Sequence, residues 1–176
     1  TPVFGCWLAV IQQGKTLLVD LTSLYGLYPE FLYPIFKLIN VNIISFSITM
    51  AALTSISYLL ILLGLRKIIR NNLVTFLAFI AIIYFGYIAF FIAPSPINNM
   101  SFDIYHAYKP IRIIFPALIL YSVFTYILTP KRNLYLLITF ISSVSILWNF
   151  DSGVICFLSF YIYILYERLI GNNLRG

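Results

Sequence analysis

Three short stretches concentrate the side chains that could perform chemistry. In the first, residues 14–30, Asp20 stands between Lys15 and the aromatics Tyr25 and Tyr28, and Glu30 closes the stretch. A carboxylate in that company can take a proton, accept hydrogen bonds from sugar hydroxyls or bind a divalent cation through oxygen. Its ordinary role is a solvated acid or a helix cap, and the tyrosines are then aromatics of a membrane boundary. In the second stretch Asp103, His106, Lys109 and Arg112 follow one another at three-residue steps. A helix would put the last three on one face, although Pro110 opposes helix there. Such cations can clamp a phosphate and neutralise the charge that develops as it leaves, or simply snorkel to ordinary lipid headgroups. In the third, Asp151 follows Trp148-Asn149-Phe150 and precedes Ser152-Gly153. An acid at an apolar boundary is costly and suggests function, but Asp-Ser-Gly is also common turn chemistry.

The signatures of soluble catalysis are missing. The sequence has no phosphate-binding glycine loop, no His-Glu-x-x-His, no nucleophile elbow and no cysteine cluster. Cys6 and Cys156, far apart and set in apolar sequence, read as small buried hydrophobes.

The elements that must position these residues are set by an unusual composition: 62% hydrophobic, 18% aromatic and 9% charged in 176 residues, with a mean hydropathy of +0.99. A soluble domain keeps about a quarter of its residues charged to hydrate its surface. The expected fold is therefore all-α, a polytopic transmembrane helix bundle whose outer surface faces lipid. The net charge of +6 comes from short basic groups between long apolar runs, which points to topology and anionic headgroups and away from nucleic acid.

One region, 1–176, is expected, divided into an outer loop with juxtamembrane helices over 1–42 and about five membrane segments over 43–176. Residues 1–12 suit a juxtamembrane helix. Pro29–Lys37 reads as an interfacial helix with Phe31, Pro34, Ile35 and Ile39 as its apolar stripe. The first span, Ile43–Leu65, is uncharged, and Arg66–Asn72 stops it. Its Ser45, Ser47, Thr49, Thr54, Ser55 and Ser57 either pack against another helix or bond back to their own. The second span, Leu73–Ala93, ends at Pro94-Ser95-Pro96, and a polar loop is expected over Ile97–Pro110. A third span starts near Arg112 and ends at Thr129-Pro130. Turns at Lys131–Asn133 and Asp151–Gly153 flank a fourth span, Leu134–Phe150, and the last segment is Val154 to about Ile170.

Alternating crossings put Arg66, Lys67, Arg70, Lys131, Arg132, Arg168 and Arg175 on one side and Lys15, Lys37, Lys109 and Arg112 on the other. The basic excess marks the first side as cytoplasmic. Asp20, Glu30, Asp103 and Asp151 share the outer side, so chemistry is expected there.

The succession Gly14, Asp20, Tyr25-Gly26 and then Phe31-Leu32-Tyr33-Pro34-Ile35-Phe36-Lys37-Leu38-Ile39 resembles the first outer loop of the GT-C superfamily, polytopic glycosyltransferases that use polyprenyl-phosphate-linked sugars. The resemblance implies a fragment of a longer enzyme, because the catalytic carboxylate such enzymes carry after their first span would precede Thr1. It implies sugar transfer from a lipid-linked donor at the outer face of a bacterial inner (plasma) membrane. Asp20 would be catalytic, with a divalent cation as the group it could bind. Tyr25, Glu30, Asp103, His106, Lys109, Arg112 and Asp151 would contact substrate. A transporter or flippase segment, or a structural membrane subunit, fits the same hydropathy. A transporter would place charges at span centres, and Ile43–Leu65 and Leu73–Ala93 have none.

Overall fold

The computed structural model describes residues 26–39, 42–88 and 101–171 and the separate positions 10 and 16–17, with side chains for all of these except 87–88, 101–108 and 170–171. The expected helix over 1–12 and the loop residues Asp20 and Tyr25 lie outside the described residues. Every described secondary-structure element is a helix: α1 Tyr28–Ile39, α2 Ile43–Ile68, α3 Asn72–Ile83, α4 Ser101–Leu128, α5 Arg132–Trp148 and α6 Phe150–Tyr166. Single π-helical turns, Tyr84–Ile88 and Glu167–Gly171, extend α3 and α6.

Three helical stretches among the described residues, Ile43–Ile68, Lys109–Leu128 and Phe150–Leu169, are long and apolar enough to cross a membrane. At 1.5 Å per residue the 26 residues of α2 reach roughly 39 Å. Asn72–Gly86 and Arg132–Trp148 are shorter apolar helices. The outward faces are apolar too: Ile43, Ile44, Phe85, Phe140 and Ile155 are each about two-thirds exposed or more.

Helices α2 and α4 run parallel. Phe46 and Met50, early in α2, share a buried cluster with Ile111. Near the other end Lys67 Nζ donates to Thr125 Oγ1 at 2.7 Å and lies 4.5 Å from the centroid of the Tyr121 ring. Parallel neighbours require a return path, and α3 begins it. After the turn at Ile69–Asn71 it runs back along α2, where the Tyr58 and Phe79 rings lie 6.2 Å apart. Helices α5 and α6 form an antiparallel hairpin in which Ile138, Ile141 and Phe160 bury against Ile119 of α4. Cys156 is half-buried and packs against this cluster.

At the start of α2, Asn42 Oδ1 accepts from the Ser45 N–H at 2.7 Å while Ser45 Oγ accepts from the Asn42 N–H at 3.0 Å, a reciprocal cap. The hydroxyls of Ser47, Thr49, Thr54 and Ser57 donate to the carbonyls four residues earlier. The self-bonding alternative therefore describes them, and only Ser57 among them is also buried against neighbouring helices.

Three sequence expectations are corrected. Residues 101–110 continue the helix of α4 and do not form a loop, and Pro110 and Pro116 both lie inside it. Each proline removes one backbone bond, which a helix of 28 residues can absorb. The turn between the last two helices is the single residue Asn149, so Asp151, Ser152 and Gly153 occupy the first turn of α6. On α1 the stripe packed against the bundle is Tyr28, Pro29, Leu32 and Phe36. The expected stripe of Phe31, Pro34, Ile35 and Ile39 faces outward. The helix is apolar on both faces, and periodicity alone could not say which one met protein.

Candidate functional site

The start of α1, the middle of α4 and the α5–α6 turn meet at Trp148. Its indole Nε1 donates to the Ile111 carbonyl at 2.8 Å. Its ring lies 5.4 Å from that of Phe115, 6.0 Å from Phe31 and 6.3 Å from Tyr28. One side chain thus ties the middle of α4 to the α5–α6 turn and to α1.

The segment entering α1 is fastened to the same turn by backbone. The Leu27 N–H donates to the Leu147 carbonyl at 2.7 Å. Gly26, at φ 88°, passes so close to the Trp148 carbonyl that a Cβ would collide with it. Glycine is required there on both counts.

Asn149 is completely buried and serves two helices. Its N–H donates to the Ser145 carbonyl at 3.0 Å to close α5, and its carbonyl accepts from the Gly153 N–H at 2.8 Å to open α6. Its Oδ1 accepts from Ser152 N at 3.0 Å and Ser152 Oγ at 2.9 Å. This is a side-chain N-cap on α6. The cap holds Asp151 in the first turn of α6, where the helix dipole favours a negative charge.

Beside this joint, Arg112 Nη2 lies 3.2 Å from Asp151 Oδ2. The residues are 39 apart in sequence, and their side chains are 40% and 56% exposed, so the pair is accessible to a ligand and contributes at most about 1 kcal/mol to stability. Lys109, half-buried, lies one turn earlier on α4. The backbone of α4 is helical from Ser101, so Asp103, His106, Lys109 and Arg112 do follow one another along a single helix; the side chains of Asp103 and His106 lie outside the described residues.

Glu30, expected at substrate, makes a backbone contact within the fold. Its Oε1 accepts the Leu17 N–H at 2.8 Å, fastening the upstream segment to the first turn of α1. Among the described residues no group of three His, Cys, Asp or Glu side chains could hold a metal ion. Of the sequence candidates, the structure brings together Arg112 and Asp151, with Lys109 one turn away.

Sequence reasoning missed Trp148, Asn149 and Gly26. A signal was present in Trp148-Asn149, an indole donor and an amide in an otherwise apolar run. A buried amide in such a run must find partners within the fold.

No family model, no curated protein and no solved structure matches this chain.

Proposed function

We propose that the chain is a multi-pass membrane region of a glycosyltransferase that takes a sugar from a polyprenyl-phosphate donor at the outer face of the membrane. The observation that carries this reading is the pairing of Arg112 with Asp151 beside the Trp148 joint, which also receives the start of α1, with Lys109 one helical turn from Arg112. In the proposed reaction an acceptor hydroxyl attacks the anomeric carbon, the bond from that carbon to the phosphate oxygen breaks, and the lipid phosphate leaves. Lys109 and Arg112 neutralise the departing phosphate. Asp151 holds the Arg112 guanidinium in place while leaving it accessible. Asp20 takes the hydroxyl proton.

Membrane placement is supported by the three long apolar helices and by the exposed stripe of α1, where Phe31, Ile35, Leu38 and Ile39 suit the headgroup boundary. With α2 and α4 parallel, the turns bearing Arg66, Arg70, Lys131 and Arg132 fall at one end and Arg112 with Asp151 at the other. The basic end is then cytoplasmic. In a background with Cys6 and Cys156 replaced by serine, an impermeant thiol reagent added to intact cells is expected to label Asn98→Cys and to spare Asn133→Cys. The reverse pattern would invert the orientation.

A second reading follows from the same ion pair. Arg112 and Asp151 neutralise one another, which suits a clasp between α4 and α6 in a structural subunit. Transfer of labelled sugar from a polyprenyl phosphate, in membranes with matched protein levels, separates the two readings. Asp20→Asn in the full-length protein is expected to cut transfer at least about tenfold, or roughly 1.4 kcal/mol of transition-state stabilisation, without changing abundance. Lys109 and Arg112 replaced together by glutamine should weaken use of the donor. Absence of transfer by the full-length wild type with every donor tried would favour the clasp.

A further inference from the structure

The end of the helices opposite Trp148 carries a strong charge imbalance. Arg66, Arg70, Lys131, Arg132 and Arg168 are exposed there, and Glu167 is the one acid among the described residues of that end. Among the described side chains the Trp148 end is nearly balanced, with Lys37, Lys109 and Arg112 against Glu30 and Asp151, and Arg112 is already paired.

Two basic turns distant in sequence are brought side by side by the fold. Because α2 and α4 are parallel, Arg66 to Arg70 and Lys131-Arg132 follow adjacent helix ends. Lys67 turns inward, to Thr125 Oγ1 and over the Tyr121 ring, and fastens those ends together. The remaining cations point outward. Ile68, Leu73, Leu128 and Leu136, all about half-exposed or more, flank them with apolar surface. Cations bordered by apolar side chains match a molecule with an anionic head and acyl chains, and a soluble anion would gain nothing from the apolar border.

We infer that the α2–α3 and α4–α5 turns together bind the headgroup of an anionic phospholipid, with the phosphate among Arg66, Arg70, Lys131 and Arg132. The inference rests on the membrane placement proposed above and is independent of the glycosyltransferase reading. It assigns these cations a specific lipid partner in addition to their effect on orientation.

The test uses the whole chain in nanodiscs of phosphatidylcholine alone and of phosphatidylcholine with about 30 mol% phosphatidylglycerol, an anionic surface of biological strength. Lipid co-purifying with the protein is measured by native mass spectrometry. The wild type is expected to enrich phosphatidylglycerol over the bulk at least about fivefold, and a variant with Arg66, Arg70, Lys131 and Arg132 all changed to glutamine should lose that enrichment. Exchanging each arginine for lysine and the lysine for arginine should retain it, as should Lys37→Gln at the far end. Soluble glycerol phosphate should not displace the lipid. Equal enrichment by wild type and the glutamine variant would overturn the inference, as would displacement by glycerol phosphate. A wild-type chain that enters neither kind of nanodisc would overturn the membrane placement itself.

Discussion

Trp148→Ala is expected to lower the stability of the folded chain by about 3–5 kcal/mol, the largest effect of any single truncation considered for this structure. The side chain is 5% exposed and is the point where α1, α4 and the α5–α6 turn touch. Its removal deletes three aromatic contacts and leaves a cavity that the flanking helices cannot close, because Gly26 and Leu27 already sit against the backbone of the same turn. With the membrane placement proposed above, the driving force between helices is packing more than water exclusion, so the lost contacts themselves make up the cost. Trp148→Phe keeps one aromatic ring but loses the bond to the Ile111 carbonyl and part of the buried indole volume, for a cost of about 1–2 kcal/mol. Thermal unfolding in nanodiscs should show the alanine variant melting about 6–20 °C lower and the phenylalanine variant less so. An alanine variant that melts within about 2 °C of the wild type would mean that Trp148 does not join these elements.

The second large effect is Gly153→Ala, expected to destabilise by about 2–3 kcal/mol. Within a helix this exchange ordinarily stabilises by up to about 1 kcal/mol, so the expected sign is reversed. The reason is local. A Cβ on Gly153 would collide with the carbonyl group of Ser145 and the Cα of Ile146, all backbone atoms of the facing helix. The hairpin would have to open at its tightest point, next to the Asn149 cap and the Asp151 carboxylate. Gly64→Ala is the control, because its Cβ would meet a movable ring atom of Phe124 at 3.3 Å, and its effect should be small. If Gly153→Ala melts at or above the wild-type temperature, the hairpin is looser than described. Proximity of Asp151 to Arg112 depends on this turn, so under the proposed glycosyltransferase reading Gly153→Ala also reduces donor use in the transfer assay.

Helix content and the start of α2 followed from local chemistry, while its end lies three residues beyond the expected Leu65. Ile43 onward is an uncharged run behind an Asn42–Ser45 cap, and every backbone group of such a run in an apolar medium must be bonded within the segment. The same logic overstated the two interruptions. Pro110 read as a breaker and Asp151-Ser152-Gly153 as a turn, yet both lie inside helices, because neighbouring packing and the Asn149 cap outweighed local preference.

By itself the sequence determined that the chain builds helices, that these are apolar on nearly every face, and that the cations and acids fall in short groups between long apolar runs. Those properties follow from residue type and spacing, which act through solvation and backbone bonding over a few residues. Only the tertiary structure decided that α2 and α4 run parallel, that α1 turns Leu32 and Phe36 inward and Phe31 and Ile35 outward, and that Arg112 meets Asp151 across 39 residues. The physical reason is that an apolar helix without a polar face gives no local cue to its partner. Its neighbours are chosen by close approach at Gly26 and Gly153 and by a few buried polar groups, Asn149 and the Trp148 indole among them, which can be satisfied in only one arrangement.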